Sequence, residues 1–409
     1  MPTKDTPSSF TKLLKTIGPG LLFASTAIGT SHLVLSTRAG AHHGMIFFWV
    51  ILLTLILKYP FYEFGPRFAN ATGFSLLKGY KHQGNWAVIL FMLVIGINMF
   101  AVVGAIGAVS AGLLKTMMGM GSVPMPVLVG GLLALTAALL LIGQYSALDN
   151  FVKLISVVLL VTVCTAFFAV LINGPIEPIA GFQSTSILEG AGLALMISLI
   201  GWMPNGMEAS TMHSIWAVEK ARTTNYQPTL KESLFDFNLG YLFTAGLALM
   251  FLTIGAFTAY GSGQVLDGNA TQFSNKLLGV FTSNIGSWSY PIIALAAFGT
   301  IYGTLITAWD AFARSFVRGL QVFKFDMLTH SEEQQAFLKR NYNIFLPLIG
   351  VGGFALFFFS AASMIKILTY ATIVAFITAP IIAILNLRAI KSDLIPASHQ
   401  PPQWLITMA

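Results

Sequence analysis

Two stretches of this sequence place polar and small residues where an apolar run would otherwise continue. The first is Ala24-Ser25-Thr26-Ala27-Ile28-Gly29-Thr30-Ser31-His32, and the second is Gly201-Trp202-Met203-Pro204-Asn205-Gly206. Pro204 lacks an amide hydrogen and the glycines tolerate unwinding, so both stretches favour an interrupted helix. Freed carbonyls, hydroxyls, the His32 imidazole, the Asn205 amide and the Met203 thioether are all potential ligands for a small solute or an ion. Glu208 follows three residues after Asn205, which puts its carboxylate on the same helical face. His213 lies about two turns beyond Asn205 and extends a polar path. His32 is suited either to relaying a proton near neutral pH or to bonding a carbonyl released by the interruption. A third polar face comprises Thr300, Gly303, Thr304, Thr307, Asp310 and Arg314, which fall within about 120° of one another on a helix. Asp310 and Arg314 have ion-pair spacing. Asp310 is therefore a candidate for proton or ion coupling. His42-His43 is too isolated to predict a metal site.

These residues sit in a chain that is 56% hydrophobic and only 9% charged over 409 residues. Soluble domains carry about 25% charged residues. The mean hydropathy is +0.77 and the pI about 9.4, but Lys and Arg punctuate apolar runs and do not gather on one face. That pattern predicts a polytopic membrane protein and no nucleic-acid partner. The lone Cys164 excludes a disulfide scaffold. Residues 1–10 are polar and no cleavable signal peptide is expected. The sequence also lacks His-Glu-x-x-His, a phosphate-binding glycine loop and Gly-x-Ser-x-Gly, so no enzyme is expected.

A membrane-spanning helix needs about 20 apolar residues. Ten candidates lie at 17–37, 44–64, 87–114, 126–146, 151–173, 187–216, 236–260, 289–315, 343–361 and 364–388. With the amino terminus inside, sixteen of the 22 lysines and arginines fall on the cytoplasmic side and four outside, which predicts two cytoplasmic termini. Lys58, Glu63 and Lys366 lie near predicted span ends, where snorkelling is the ordinary expectation. The compact chain with short termini suggests a bacterial inner membrane. No segment is long enough for a separate soluble domain, so residues 1–409 are read as one transmembrane transporter domain.

Ten spans divide into five and five, and an odd number per half reverses the second half in the membrane. The expected fold is all-α, with inverted repeats at roughly 17–173 and 187–388 and interruptions in spans 1 and 6, the first helix of each half. Paired interruptions of this kind are the best pointer in a sequence to a transporter's central site.

Gly18-Pro19-Gly20 at the start of span 1, Ala39-Gly40-Ala41 after its interruption, Met203-Pro204 in span 6, and Pro380 with Asn386 and Arg388 in span 10 resemble the Nramp divalent-metal transporter family. The resemblance implies the LeuT-type fold and a site between spans 1 and 6. The family carries Asp-Pro-Gly-Asn at the span 1 interruption; Gly29, Thr30, Ser31 and His32 occupy those positions here. It follows Met-Pro with His, where this chain has Asn205. Only the Met203 thioether matches directly, and span 3, 87–114, contains no Asp or Glu.

The expected function is secondary-active transport of a cation, foremost a divalent metal ion, inward by alternating access. Gly29, Thr30, Ser31, His32, Met203, Asn205 and Glu208 form the expected binding site. Met203, Asn205, His32 and Glu208 are the candidate metal ligands, and Asp310, Thr304, Thr307 and His213 the candidate coupling residues. With the aspartate gone, an ion that keeps part of its hydration, as magnesium does, fits better than a fully dehydrated transition metal. The alternatives are a carrier of a small organic solute and a non-transporting sensor or assembly protein on the same fold. No tightly bound cofactor is expected; the partners are the lipid bilayer, the transported ion and a coupling proton or sodium ion.

Overall fold

A computed structural model of the chain describes residues 15–143, 145–263, 266, 270–325, 331–360 and 364–409, with backbone alone at 145–156, 270, 284 and 364. The described residues form ten spans in the predicted order. Span 1 covers 19–43, span 2 Phe47–Thr72, span 3 Asn85–Met117, span 4 Met125–Ile142 and span 5 Tyr145–Asn173. Span 6 comprises two half-helices, 6a (Gly190–Trp202) and 6b (Ala209–Thr224). Span 7 is Leu230–Ala259, span 8 Tyr290–Lys324, span 9 Glu332–Phe359 and span 10 Met364–Ile390. Seven stretches are long and apolar enough to cross a bilayer as single pieces; one of them, 19–72, holds both spans 1 and 2. The helix Leu76–Gln83 precedes span 3, Ala270–Ile285 precedes span 8, and Gln403–Met408 ends the chain.

Local sequence sets several helix ends. Thr229 accepts from the Glu232 amide while the Glu232 carboxylate reaches back to the Thr229 amide, a reciprocal cap that starts span 7. Ser331 caps span 9, and left-handed Gly143 ends span 4. Span 1 is capped from a distance: Asp236 of span 7 accepts from the Gly18 amide at 3.0 Å and the Gly20 amide at 2.7 Å. A carboxylate there meets the positive end of the span 1 helix dipole.

Span 8 is the most enclosed, with 83% of its apolar window buried, against 28% for spans 4 and 9. It packs against span 3, and together they form the inner wall of the bundle. Span 1 lies along span 7 at backbone contact distance. A Cβ on Gly255 would come within 2.1 Å of the Thr37 carbonyl, and one on Gly20 within 2.0 Å of the Asp236 carbonyl. With no hydrophobic drive between helices in lipid, such close backbone approach is a principal source of cohesion. Gly255→Ala is accordingly expected to cost about 1–3 kcal/mol by overpacking and to lower the unfolding temperature in detergent. Gly246→Ala, on the same helix with nothing within 4 Å, is expected to unfold with the wild type.

The two expected interruptions take different forms. Span 6 leaves the helix at Met203 (φ −93°, ψ 123°) and resumes at Ala209. Span 1 does not open. Its residues Ile28–Ser36 form a π-helix, flanked by Pro19–Ala27 and Thr37–His43. The wider turn shifts the hydrogen-bond ladder, and side chains take up the released carbonyls. Thr304 Oγ1 donates to the Ser25 carbonyl at 2.7 Å, and Ser31 Oγ to the Ala27 carbonyl at 2.5 Å.

Candidate functional site

The six residues between the half-helices of span 6 run 203–208, and the Met203–Pro204 peptide is cis. Asn205 ties this segment to span 1, donating from Nδ2 to Thr26 Oγ1 at 2.7 Å, while its Oδ1 accepts from the Gly206 amide at 2.9 Å. Ser31 Oγ also reaches the Pro204 carbonyl at 3.3 Å. Glu208 immediately precedes 6b, and its carboxylate lies over Gly206, where a Cβ would come within 2.5 Å of Oε1. The exposed amides at the start of 6b favour a carboxylate at this place.

Spans 1 and 6 enclose a cavity of about 30 Å³. Its polar wall consists of Thr26, Thr30, Ser31, Asn205, Glu208 and Thr304, and Val102, Ile106 and Phe312 contribute to its apolar side. Glu208 is the one carboxylate in that wall. The Thr30 hydroxyl is buried and has no hydrogen-bond partner among the described residues. The donor set is therefore oxygen-rich, with a single negative charge. A volume of this size matches one ion or about one water molecule.

Several expected site residues lie elsewhere. His32 is fully buried behind the cavity: Nδ1 lies 2.7 Å from both the Ala27 carbonyl and Ser31 Oγ, and Nε2 3.0 Å from the Thr244 carbonyl. Of its two predicted roles, the geometry corresponds to bonding released carbonyls. Gly29 backs against Thr304, with 2.4 Å from its would-be Cβ to Oγ1. Met203 is fully buried outside the cavity wall. Of the four candidate metal ligands, the cavity therefore brings together Asn205 and Glu208. The change of helical phase in the π-segment and the irregular path after Met203 turn the other two away. Among the described residues, no group of three or more His, Cys, Asp or Glu side chains is placed to hold a metal.

Thr307 and Asp310 line a larger cavity of about 530 Å³ between 6b, span 8 and span 9, together with Arg314, Arg318 and Tyr342. Asp310 accepts from Arg314 Nε at 2.7 Å and from the Tyr342 hydroxyl at 2.5 Å. With both oxygens engaged, Asp310→Asn is expected to lower the unfolding temperature and to leave the half-saturation for cargo unchanged in a flux assay. His213 is buried against the rings of Phe23 and Phe237, in the wall of a third cavity of about 230 Å³ that also includes Asp236 and Lys220. Neither ring nitrogen has a partner among the described residues.

Span 2 supplies two residues that the sequence did not single out for the site. Lys58 is buried, and Nζ donates to the Ile200 carbonyl at 2.6 Å and the Gly201 carbonyl at 3.1 Å, at the end of 6a. Snorkelling does not describe it. One turn later, the Tyr62 hydroxyl donates to the Asn205 carbonyl at 2.5 Å. Glu63, also expected to snorkel, is buried in an ion pair with Arg67. A run of Lys58, Tyr62, Glu63 and Arg67 in an apolar span was the available signal, because buried ionisable groups in membranes are functional candidates by default.

Ten spans, an interruption in the first helix of each half, and an oxygen-lined cavity between the two define an integral membrane protein with the LeuT-type fold. The chain is 32% identical over 379 residues to the uncharacterized protein PM0681 of Pasteurella multocida, covering 91% of this chain and 84% of that one. It belongs to the same family as that protein. It is also 28% identical over 319 residues to the divalent metal cation transporter MntH of Staphylococcus saprophyticus, covering 72% of this chain and 68% of MntH. No protein-family model matches the sequence. The fold is shared with the Eremococcus coleocola manganese transporter. Its complex with an aromatic bis-isothiourea substituted compound superposes with a TM-score of 0.67 at 15% identity, over 99% of this chain and 86% of that one. A mutant form of the same transporter gives a TM-score of 0.67 at 12% identity.

Proposed function

We propose that this protein is a secondary-active transporter that carries a divalent metal ion inward across a bacterial inner membrane by alternating access. Its whole length acts as one transport domain, with both termini in the cytoplasm. The observation that carries this reading is the single carboxylate of Glu208 facing the unpartnered Thr30 hydroxyl across a one-ion cavity, between the interrupted helices of the two repeats. Glu208 supplies the charge, and Asn205, Thr26, Thr30, Ser31 and Thr304 supply neutral oxygens. Oxygen ligands suit hard, partly hydrated cations such as magnesium and manganese. Met203 and His32 of the expected set lie outside the wall, and Met212 of 6b borders it on the apolar side. The metal is cargo, and no resident cofactor enters the scheme. A proton or sodium ion is the proposed coupling species.

The larger cavity bordered by Thr307 and Asp310 is the proposed release route, since it begins beside Thr304 on span 8 and ends at the charged cytoplasmic rim. An organic solute of several heavy atoms needs a larger chamber than about 30 Å³, which favours the ion over that alternative. The test is manganese influx into proteoliposomes containing purified protein and a metal-quenched dye, at inside-negative potential. Saturable quenching is expected. A dye that stays bright while an ionophore control quenches it would overturn the manganese reading.

A further inference from the structure

Half-helix 6a ends at Trp202, so its last carbonyls find no amide further along the chain and carry the negative end of the helix dipole. The Lys58 ammonium reaches these carbonyls from span 2, 2.6 Å from the Ile200 oxygen and 3.1 Å from that of Gly201. The backbone of span 10 closes on the same point: a Cβ on Gly201 would come within 2.2 Å of the Thr372 carbonyl. Lys58 is 8% exposed and Glu208 4%, and they sit on the two sides of the same non-helical segment, at the end of 6a and the start of 6b. One basic and one acidic side chain thus flank the span 6 interruption, Lys58 on 6a and Glu208 on 6b.

An isolated buried charge is expensive in a medium without water, whereas a compensated pair is far less so. With Lys58 and Glu208 both charged, the empty site is neutral as it is carried between the two faces of the membrane. Binding a dication adds its full charge beside an ammonium that repels it, so the cargo is held loosely and released readily. Without Lys58, the empty site would carry an uncompensated carboxylate and a set of unpaired carbonyls, and the dication would be held more tightly.

We propose that Lys58 is a built-in counter-cation. Its ammonium fills a cation place at the end of 6a, keeps the empty site neutral during its return, and weakens the hold on cargo. The second and third parts rest on the transport reading above; the first does not. Lys58 is a positioning residue that acts through the 6a carbonyls and Glu208.

The test uses full-length protein carrying Lys58→Gln, which keeps hydrogen-bond donors for the carbonyls but removes the charge, and Lys58→Met, which removes both. In detergent, exchanging choline chloride for potassium or sodium chloride is expected to raise the unfolding temperature of both variants by about 3 °C or more, as a free cation fills the vacated place. The wild type is expected to stay flat. Variants that ignore the exchange, or a wild type that responds equally, would overturn the cation place whether or not the protein carries manganese. If wild-type liposomes take up manganese, both variants are expected to lose about tenfold in maximal net uptake. Their half-saturation should fall, and manganese–manganese exchange, which never returns an empty site, should stay within about twofold. Equal losses in net uptake and exchange would reduce Lys58 to a helix cap and overturn its role in the return step. If neither variant accumulates, Lys58→Gln combined with Glu208→Gln restores charge balance. Recovery of folded protein is then expected, and its absence overturns the proposal.

Discussion

Replacing Glu208 with glutamine is expected to reduce manganese influx about 10²-fold per folded molecule, compared at matched amounts of monodisperse protein. The cavity between spans 1 and 6 has one carboxylate, and its other polar groups are hydroxyls and an amide. Neutral oxygens can replace part of a hydration shell, but they leave the charge of a dication uncompensated away from water. Glutamine keeps the size and an oxygen while removing that charge, so the loss isolates the electrostatic contribution. Supporting groups around metal sites typically account for 10–100-fold each, and the sole anionic ligand belongs at the upper end of that range. Undiminished saturable influx in Glu208→Gln would move the cargo site out of this cavity. Thr30→Val is a natural companion, since it removes the unpartnered hydroxyl and keeps the volume.

The largest expected effect on stability is that of Glu63→Ala. Arg67 Nε lies 3.0 and 2.9 Å from the two Glu63 oxygens, Nη2 makes a further contact with Oε1, and both residues are at most 6% exposed. Nη1 of the same guanidinium donates to the His399 carbonyl at 3.1 Å, holding the C-terminal segment against span 2. Removing the carboxylate leaves a buried cation with backbone acceptors only. Breaking one side of such a pair costs about 3–5 kcal/mol. The unfolding temperature of Glu63→Ala should drop well below that of the wild type, and flux should fall in proportion to the folded protein that remains. Replacing both partners with apolar residues, Glu63→Leu with Arg67→Met, should do less damage than Glu63→Ala alone. A Glu63→Ala protein that unfolds at the wild-type temperature would show that the tail carbonyls suffice for Arg67.

The order and number of the spans were legible because lipid imposes a strong constraint on composition. Each crossing helix must satisfy its own backbone and present apolar side chains over a fixed length. Pro204 between glycines marked the opening in span 6 because its effect is local: no partner is needed to remove an amide hydrogen. Asn205 and Glu208 lie inside that opening, in the non-helical residues 203–208, so the helical spacing assumed from the sequence does not apply to them. Span 1 behaved otherwise. Small and polar residues permit a helix to change phase but do not choose between unwinding and a π-turn. That choice rests on Thr304 and Ser31 satisfying the Ser25 and Ala27 carbonyls, and Thr304 lies on span 8, far along the chain. His32 was drawn away from the cavity for the same reason, by a carbonyl on span 7.

Sequence by itself determined that this is a ten-span membrane protein whose helical pattern is disturbed in the first helix of each half. Tertiary structure alone decided which polar groups share a cavity, that Lys58 closes the end of 6a, and that Arg67 also holds the His399 carbonyl of the C-terminal segment. The division has one physical cause. Burial in lipid acts on each segment separately and is written in its composition, whereas the carbonyls that Lys58, Thr304 and Arg67 satisfy lie more than a hundred positions away along the chain, and only the packed fold brings them within hydrogen-bonding distance.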